Sequence, residues 1–170
     1  MGYNERAMRK TRLYLDTSLI IRVGDDQNPI RQAITKEFFR TVAERSNEYD
    51  LFISSVTFEE LDDGTEDRKA ASDVVLTSID YAELPRDNDA EDLARLYVRE
   101  GVLTQTHIDD LRHIAYATFF RCDYVITWNM KHLASERTFR RVSVVNATEN
   151  YGKLYIATPE FFTGGKIYGQ

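Results

Sequence analysis

Three carboxylates and one amide, spread widely along the chain, are the side chains best suited to do chemistry. Asp16 and Asn129 each follow a short apolar segment with the character of a buried strand. Glu60 lies in a short predicted helix just after another such segment, and Asp110 lies in the first turn of an amphipathic helix. Ligands of open α/β sheets sit outside the carboxyl ends of the strands. We therefore expect these four side chains to meet at one edge of one sheet.

Gathering acids in this way creates a charge problem. Two carboxylates about 4 Å apart repel each other by roughly 1 kcal/mol in water and by about 4 kcal/mol at an intermediate dielectric. A group of three either shifts its pKa values upward or binds a cation. The candidate ligands are hard oxygen donors, and no His/Cys set has zinc spacing, so the expected ion is Mg²⁺ or Mn²⁺, whether one or two. Such an ion activates water against phosphodiesters. The sequence therefore favours phosphodiester hydrolysis.

The elements that must position these residues alternate between strand and helix patterns. This alternation predicts an α/β fold, a three-layer sandwich with a mainly parallel central sheet. Apolar segments of strand length and amphipathic segments of helix length follow one another along the chain. The predicted strands are 13–15, 49–54, 124–127 and 154–157, with a short strand or connector at 81–85, and the predicted helices include 30–45, 55–61, 67–79 and 89–100.

The stretch from Thr106 to His132 carries the most detailed local predictions. Thr106 and Asp109 have capping-box spacing, so we expect the helix to begin there, with Asp109 bound to free backbone N–H groups. Asp110 then falls on the same stripe as His113, beside the packed face of the helix. Packing beside Asp110 is the favoured role for His113. Of the adjacent acids in the earlier helix, Glu60 is expected to face inward.

Length and composition bound the remaining possibilities. The 170 residues are 42% hydrophobic, which is enough for one sizeable core, and a single domain is expected over residues 12–163. Residues 1–11 are expected to form a loose leader, and residues 164–170 a glycine-rich tail. The single cysteine, Cys122, excludes an intrachain disulfide framework and a thiolate-rich metal site.

Charge and hydropathy indicate where the protein is expected to be located and how it can bind nucleic acid. No apolar run is long enough to span a bilayer, and the first residues are polar, so a cytoplasmic location away from membranes is expected. The net charge of −6 argues against a general electrostatic grip on nucleic acid. It leaves open a local basic strip at Arg137, Arg140 and Arg141, for which a solvated helix face is an equally good explanation.

Four segments together resemble a known family in order and spacing. The chain resembles PIN domains and, within them, the VapC-like ribonuclease toxins of bacterial toxin–antitoxin pairs. The resemblance extends from about Leu13 to Phe162. The four segments are residues 15–18 (LDTS), 55–61 (SVTFEEL), 110–117 (DLRHIAYA) and 123–133 (DYVITWNMKHL).

The resemblance implies a role for each matching residue. It implies that Asp16, Glu60 and Asp110 hold the metal and that Asn129 completes the catalytic group. Asn129 departs from the family pattern, because a fourth acid usually stands there and an amide brings no charge. Lower metal affinity is one expected consequence. The remaining candidates contact water or substrate: Thr17 and Ser18 would orient a metal-bound water, and Lys131 and His132 would contact a substrate phosphate or cap the following turn.

The same resemblance implies partners, and two other interpretations stay open. It implies an RNA substrate, a small antitoxin protein that blocks the acidic site, and a homodimer. The first alternative is a PIN-fold interaction or nucleic-acid-binding module with weakened catalysis, which Asn129 favours. The second is an unrelated α/β enzyme such as a phosphatase. It is disfavoured because no second aspartate lies two residues after Asp16 and no glycine-rich phosphate loop is present.

Overall fold

A computed structural model describes residues 9–164, and these residues form a central parallel sheet flanked by helices. The five strands lie in the order β3-β2-β1-β4-β5, and every neighbouring pair is parallel. The strands are β1 (Thr11–Leu15), β2 (Tyr49–Ser54), β3 (Ala82–Leu84), β4 (Tyr124–Ile126) and β5 (Tyr155–Ala157). The helices are α1 (Thr17–Val23), α2 (Pro29–Glu44), α3 (Ser55–Asp62), α4 (Glu66–Ser78), α5 (Asn88–Arg99), α6 (Ile108–Phe119), α7 (Glu136–Thr148) and α8 (Glu160–Thr163). The predicted α/β sandwich with a parallel sheet is confirmed.

The sheet separates two hydrophobic cores because its strands are apolar on both faces. In β1, Leu13 and Leu15 pack into one core together with Ile53, while Tyr14 belongs to the other core. Strands buried on both faces have nearly continuous apolar sequences, as β1 does. Helices α5 and α6 cover the Tyr14 side, and helices α1 and α2 cover the opposite side. The architecture is therefore a three-layer sandwich.

The start of α6 differs from its predicted capping box. A short 3₁₀ turn, Gln105–His107, precedes the helix, and no side chain caps the first residues of α6. Thr106 bonds to the hydroxyl of Thr104, and Asp109 binds Arg112 instead of the backbone. The capping box is therefore wrong, because the 3₁₀ turn leads the chain into the helix and Arg112 provides Asp109 with a charged partner.

The chain ends are described only in part. Residues 1–8 of the expected leader and 165–170 of the expected tail lie outside the described residues. The last residue of the expected leader, Thr11, is the first residue of β1. Just before it, Arg9 pairs with Asp123 and Lys10 with Asp50. Within residues 9–164, no helix is both long and apolar enough to cross a bilayer.

The two cores predict a sharp contrast between two identical substitutions. Ile53 in β2 is fully buried, whereas Ile30 in the first turn of α2 is 64% exposed. Ile53→Ala should lower the free energy of unfolding by about 2 to 5 kcal/mol, because it removes buried methyl groups and leaves a cavity. Ile30→Ala should change the free energy by no more than about 0.5 kcal/mol. Urea denaturation measures both values, and equal losses would contradict this packing.

Candidate active site

Asp16 lies at the carboxyl end of β1 and is held by hydroxyl groups. It occupies the N-cap position of α1, yet its side chain makes no capping hydrogen bond. Its Oδ2 atom instead accepts hydrogen bonds from Ser18 Oγ and Thr127 Oγ1, both at 2.7 Å. The residue is only 5% exposed. A purely capping role for Asp16 therefore does not describe its contacts.

His113 lies between two of the predicted acids. Its Nε2 atom is 3.2 Å from Asp16 Oδ1 and 2.6 Å from Glu60 Oε1. Burial lowers the pKa of this imidazole, but the charge of Asp16 and the hydrogen bond with Glu60 outweigh burial and leave the pKa raised. The sequence predicts packing of His113 beside Asp110; the contacts that the structure gives to Nε2 are with Asp16 and Glu60.

The opposite ring nitrogen of His113 is anchored inside the core. Its Nδ1 atom is 2.7 Å from the hydroxyl of Tyr14, which is itself 2.6 Å from Ser54 Oγ. Ser54 caps α3 by accepting a hydrogen bond from the N–H of Val56. Both nitrogens of the imidazole therefore have defined partners, and the ring has a fixed orientation.

Asp110, in the first turn of α6, has a different set of partners. Its Oδ1 atom accepts a hydrogen bond from Asn129 Nδ2 at 3.0 Å, and its Oδ2 atom is 3.4 Å from His107 Nδ1. Burial and the charge of Asp16 raise the pKa of Asp110, and three nearby histidines partly offset this effect. Asp110 and Asp16 are thus close enough to interact electrostatically.

The turn after β4 ties Asn129 to the rim of the site. Asn129 Oδ1 accepts a hydrogen bond from the backbone N–H of His132 at 3.1 Å. The carbonyl of Asn129 accepts two more from Leu133 and Ala134. The His132 ring lies against that of His107, with centroids 4.0 Å apart. In this arrangement, both ends of the Asn129 amide already bind protein atoms, one of which belongs to Asp110.

Glu59 and Glu60 bind different partners, and their side chains are 42% and 35% exposed. Glu60 binds His113, whereas Glu59 forms an ion pair with Arg112 at 2.8 Å. Arg112 also binds Glu91 of α5 at 2.8 Å. A single guanidinium group therefore joins α3, α5 and α6, the elements around Glu60 and Asp110.

The side chains at this edge have the right chemistry for a hard cation, but they are not arranged as a ready cage. Carboxylate, hydroxyl and amide oxygens are the donors that Mg²⁺ and Mn²⁺ prefer. Among residues 9–164, however, no group of three His, Cys, Asp or Glu side chains is placed to hold a metal ion. Asp16 and Glu60 both face the same N–H of His113, which lies where they would otherwise share a cation. The donor types fit a metal, whereas the number of ligands in place does not reach three.

The other predicted site residues differ in how closely they contact His113 and Asp16. Thr17 Oγ1 is 3.4 Å from His113 Nε2, and Ser18 holds Asp16 directly. Lys131 is exposed in the turn after Asn129. The sequence did not predict the roles of Thr127, Tyr14 and Ser54. A hydroxyl two residues before Asn129 was a visible signal for Thr127, whereas Tyr14 lies inside β1 and Ser54 ends β2, and nothing local marks the buried contact between them.

The raised pKa of Asp110 predicts a stability gain when its charge is removed. Between its ordinary pKa of 3.8 and its raised value, folded Asp110 keeps a proton that the unfolded chain releases, so stability falls as pH rises through that range. Asp110→Asn should therefore raise the free energy of unfolding at pH 7 in EDTA by a few tenths to about 1 kcal/mol, after allowance for solvent screening. Urea denaturation at several pH values measures the difference, which should disappear near pH 3.

Asp109→Asn is the matched control for that prediction. Asp109 lies in the same helical turn, but its side chain is 62% exposed and forms an ion pair with Arg112. Its substitution should give no gain in stability. A stability gain of the same size in both variants would show that it comes from removing any negative charge in the first turn of α6, and not from the burial of Asp110.

Comparison with known proteins identifies a similar fold. No family model and no curated protein matches the sequence. A chain in the crystal structure of VapBC2 from Rickettsia felis, bound to a DNA fragment from their promoter, is similar in structure with a TM-score of 0.55. The two chains share 13% sequence identity, and the similarity covers 87% of this chain and 98% of the other. At this identity the likeness concerns the fold alone.

Proposed function

We propose that this protein is a metal-dependent endoribonuclease, the toxin of a toxin–antitoxin pair. The observation that carries the proposal is the meeting of Asp16 and Glu60 around His113, with Asp110 within electrostatic range, at the carboxyl edge of a parallel sheet. These residues come from elements far apart in sequence. The similarity in fold to a chain of a VapBC2 complex adds support from outside the chain.

The proposed cofactor is Mg²⁺ or Mn²⁺, held mainly by Asp16 and Asp110. Mg²⁺ commonly uses one or two carboxylates and completes its shell with waters and substrate phosphates, so a cage of three protein ligands is not required. Glu60 would join the ligands directly or through a water, because His113 already binds one of its oxygens. When bound, the ion would activate water and offset charge on the phosphate.

The other residues of the site would orient and bind. Ser18 and Thr127 fix the rotamer of Asp16, and Asn129 fixes that of Asp110. Thr17 would help to orient the attacking water. Lys131 and His132, at the rim, would contact substrate phosphates through positive charge and N–H groups.

The partners follow from the same proposal. The substrate would be RNA, the regulator a small antitoxin protein, and the working form a cytoplasmic homodimer. The similar chain comes from a VapBC2 complex bound to promoter DNA, which supports a partner protein for this chain as well. A group of carboxylates that is partly exposed at its rim suits a basic side chain from an antitoxin, because such a side chain would compete with the metal for the carboxylates.

A second candidate function is a PIN-fold interaction module with weakened catalysis. Two observations favour it: Asn129 brings no charge to the site, and Asp16 and Glu60 already share a contact with His113, which leaves them less free to bind a cation. Both features lower the expected affinity for a divalent ion. Cleavage assays separate this candidate from the nuclease.

Removal of the charge on Asp16 should abolish cleavage. We expect purified wild-type protein to cut single-stranded RNA only with Mg²⁺ or Mn²⁺, and Asp16→Asn to lower the rate at least about 100-fold, because a metal ligand is lost. Asp109→Asn, which lies outside the cluster, should keep the wild-type rate. Gel analysis of labelled RNA and matched DNA provides the measurement. Equal rates in Asp16→Asn and wild type would refute this site.

Metal binding should be visible without any substrate. Thermal unfolding of the wild type should shift upward with rising Mn²⁺, because a ligand that binds only the folded state stabilises it. At a Mn²⁺ concentration about 100 times the dissociation constant, the gain is about 2.7 kcal/mol. Asp110→Ala should gain little. The same Mn²⁺-dependent gain in both proteins would place the ion elsewhere.

A further inference from the structure

We propose that Tyr14 is a positioning residue that orients Asp16 and Glu60 through His113. The inference rests on the proposed function for its catalytic consequence, although its structural part stands on contacts alone. Among the described residues, the Tyr14 hydroxyl forms hydrogen bonds with Ser54 and His113 and none with Asp16, Glu60 or Asp110. It lies behind His113, in the core on the far side of the imidazole from the two carboxylates.

The contacts form one buried chain of polar groups. Ser54 Oγ, the Tyr14 hydroxyl and His113 Nδ1 are linked at 2.6 and 2.7 Å, and His113 Nε2 faces the two acids. Ser54 and Tyr14 are fully buried, and His113 is 1% exposed.

The chain connects the three elements that carry the predicted acids. Tyr14 lies in β1, two residues before Asp16. Ser54 caps α3, which carries Glu60, and His113 lies in α6, one turn after Asp110. A displacement of any one element would therefore stretch a hydrogen bond to another. Buried polar groups that are fully paired specify one arrangement of their surroundings, whereas an unpaired group there is costly.

Apart from these polar contacts, Tyr14 belongs to one of the two hydrophobic cores. Phe52, Val56, Ile114 and Val125 belong to the same core. A phenylalanine at position 14 would keep the aromatic ring and lose only the hydroxyl. The hydroxyl therefore contributes a partner for His113 Nδ1, which would otherwise be buried without one.

Loss of the Tyr14 hydroxyl should change the positions of Asp16 and Glu60 through the imidazole of His113. With Nδ1 unpaired, the ring would no longer be held at both ends, and its Nε2–H could turn away from Asp16 or Glu60. The repulsion between the two carboxylates would then be offset less by hydrogen bonds from His113. Small displacements of catalytic groups reduce the rate of the chemical step more than they reduce substrate binding.

The chain offers a matched control at Tyr97. Tyr97 is also fully buried, and its hydroxyl bonds to Thr118 at 3.1 Å and Asn146 at 2.5 Å, away from the acids. Tyr14→Phe and Tyr97→Phe remove the same atom from comparable surroundings. With saturating Mn²⁺, Tyr14→Phe should lower kcat for RNA cleavage by about tenfold or more with KM nearly unchanged, whereas Tyr97→Phe should keep kcat within about twofold. Equal kcat values in the two variants would overturn the inference.

A second readout does not depend on cleavage. Spectra of the ¹⁵N-labelled imidazoles report the position and exchange of the His113 Nε2 proton in metal-free protein. The wild type and Tyr97→Phe should give one sharp, slowly exchanging His113 signal, and Tyr14→Phe should broaden or lose it. An unchanged signal in Tyr14→Phe would refute the positioning role. If Tyr14→Phe changes the His113 signal but the wild-type protein cleaves no RNA, the positioning role is upheld and the proposed function is refuted.

Substitutions of His113 itself cover the case in which Tyr14→Phe does not fold. Glutamine can present an N–H to Asp16 and Glu60 from nearly the position of Nε2, and methionine of similar size cannot. His113→Gln should therefore keep at least about five times the kcat of His113→Met, since only glutamine retains a charge-assisted hydrogen bond to the carboxylates. Equal kcat values would show that His113 only fills space, and the inference would fail.

Discussion

The structure depends on a means of holding carboxylates side by side at the edge of a parallel sheet. Their repulsion amounts to several kcal/mol wherever water is partly excluded. Here N–H and O–H groups of the protein reduce this repulsion. The imidazole of His113 contacts Asp16 and Glu60. Two hydroxyl groups donate hydrogen bonds to Asp16, and the amide of Asn129 donates one to Asp110. Each acid thus has its own donors before any cation binds.

The fold brings these donors to the acids through its regular elements. Because β1 and β4 are parallel neighbours, Asp16 and Thr127 emerge at the same edge of the sheet. Helix α6 crosses behind that edge and presents Asp110 and His113 one turn apart on the same stripe. Arg112 fastens the outer face of this helix to Glu59 and Glu91, so the inner face keeps its position.

The arrangement involves a compromise between stability and charge density. Burial and neighbouring charge raise the pKa of Asp110, which means that its ionised form destabilises the fold. His113, with a raised pKa, favours positive charge next to Asp16 and Glu60. The neutral Asn129 removes one further charge from a crowded edge. The site therefore keeps the negative charge of several carboxylates while its own donors offset part of their repulsion.

Local patterns in the sequence were sufficient to predict the strands and helices and to select the candidate site residues. Apolar periodicity, turn residues and strand–helix alternation are local signals, and they predicted the parallel α/β sandwich and β2 to the residue. The hydrogen-bond partners of these side chains depend on the tertiary structure. The contacts of Tyr14 with Ser54 and of Asp16 with Thr127 span 40 and 111 residues. They depend on strand register and on which rotamers fit the core, and no local pattern encodes either. For the same reason, the sequence could name His113 as a neighbour of Asp110 but not as the group between Asp16 and Glu60.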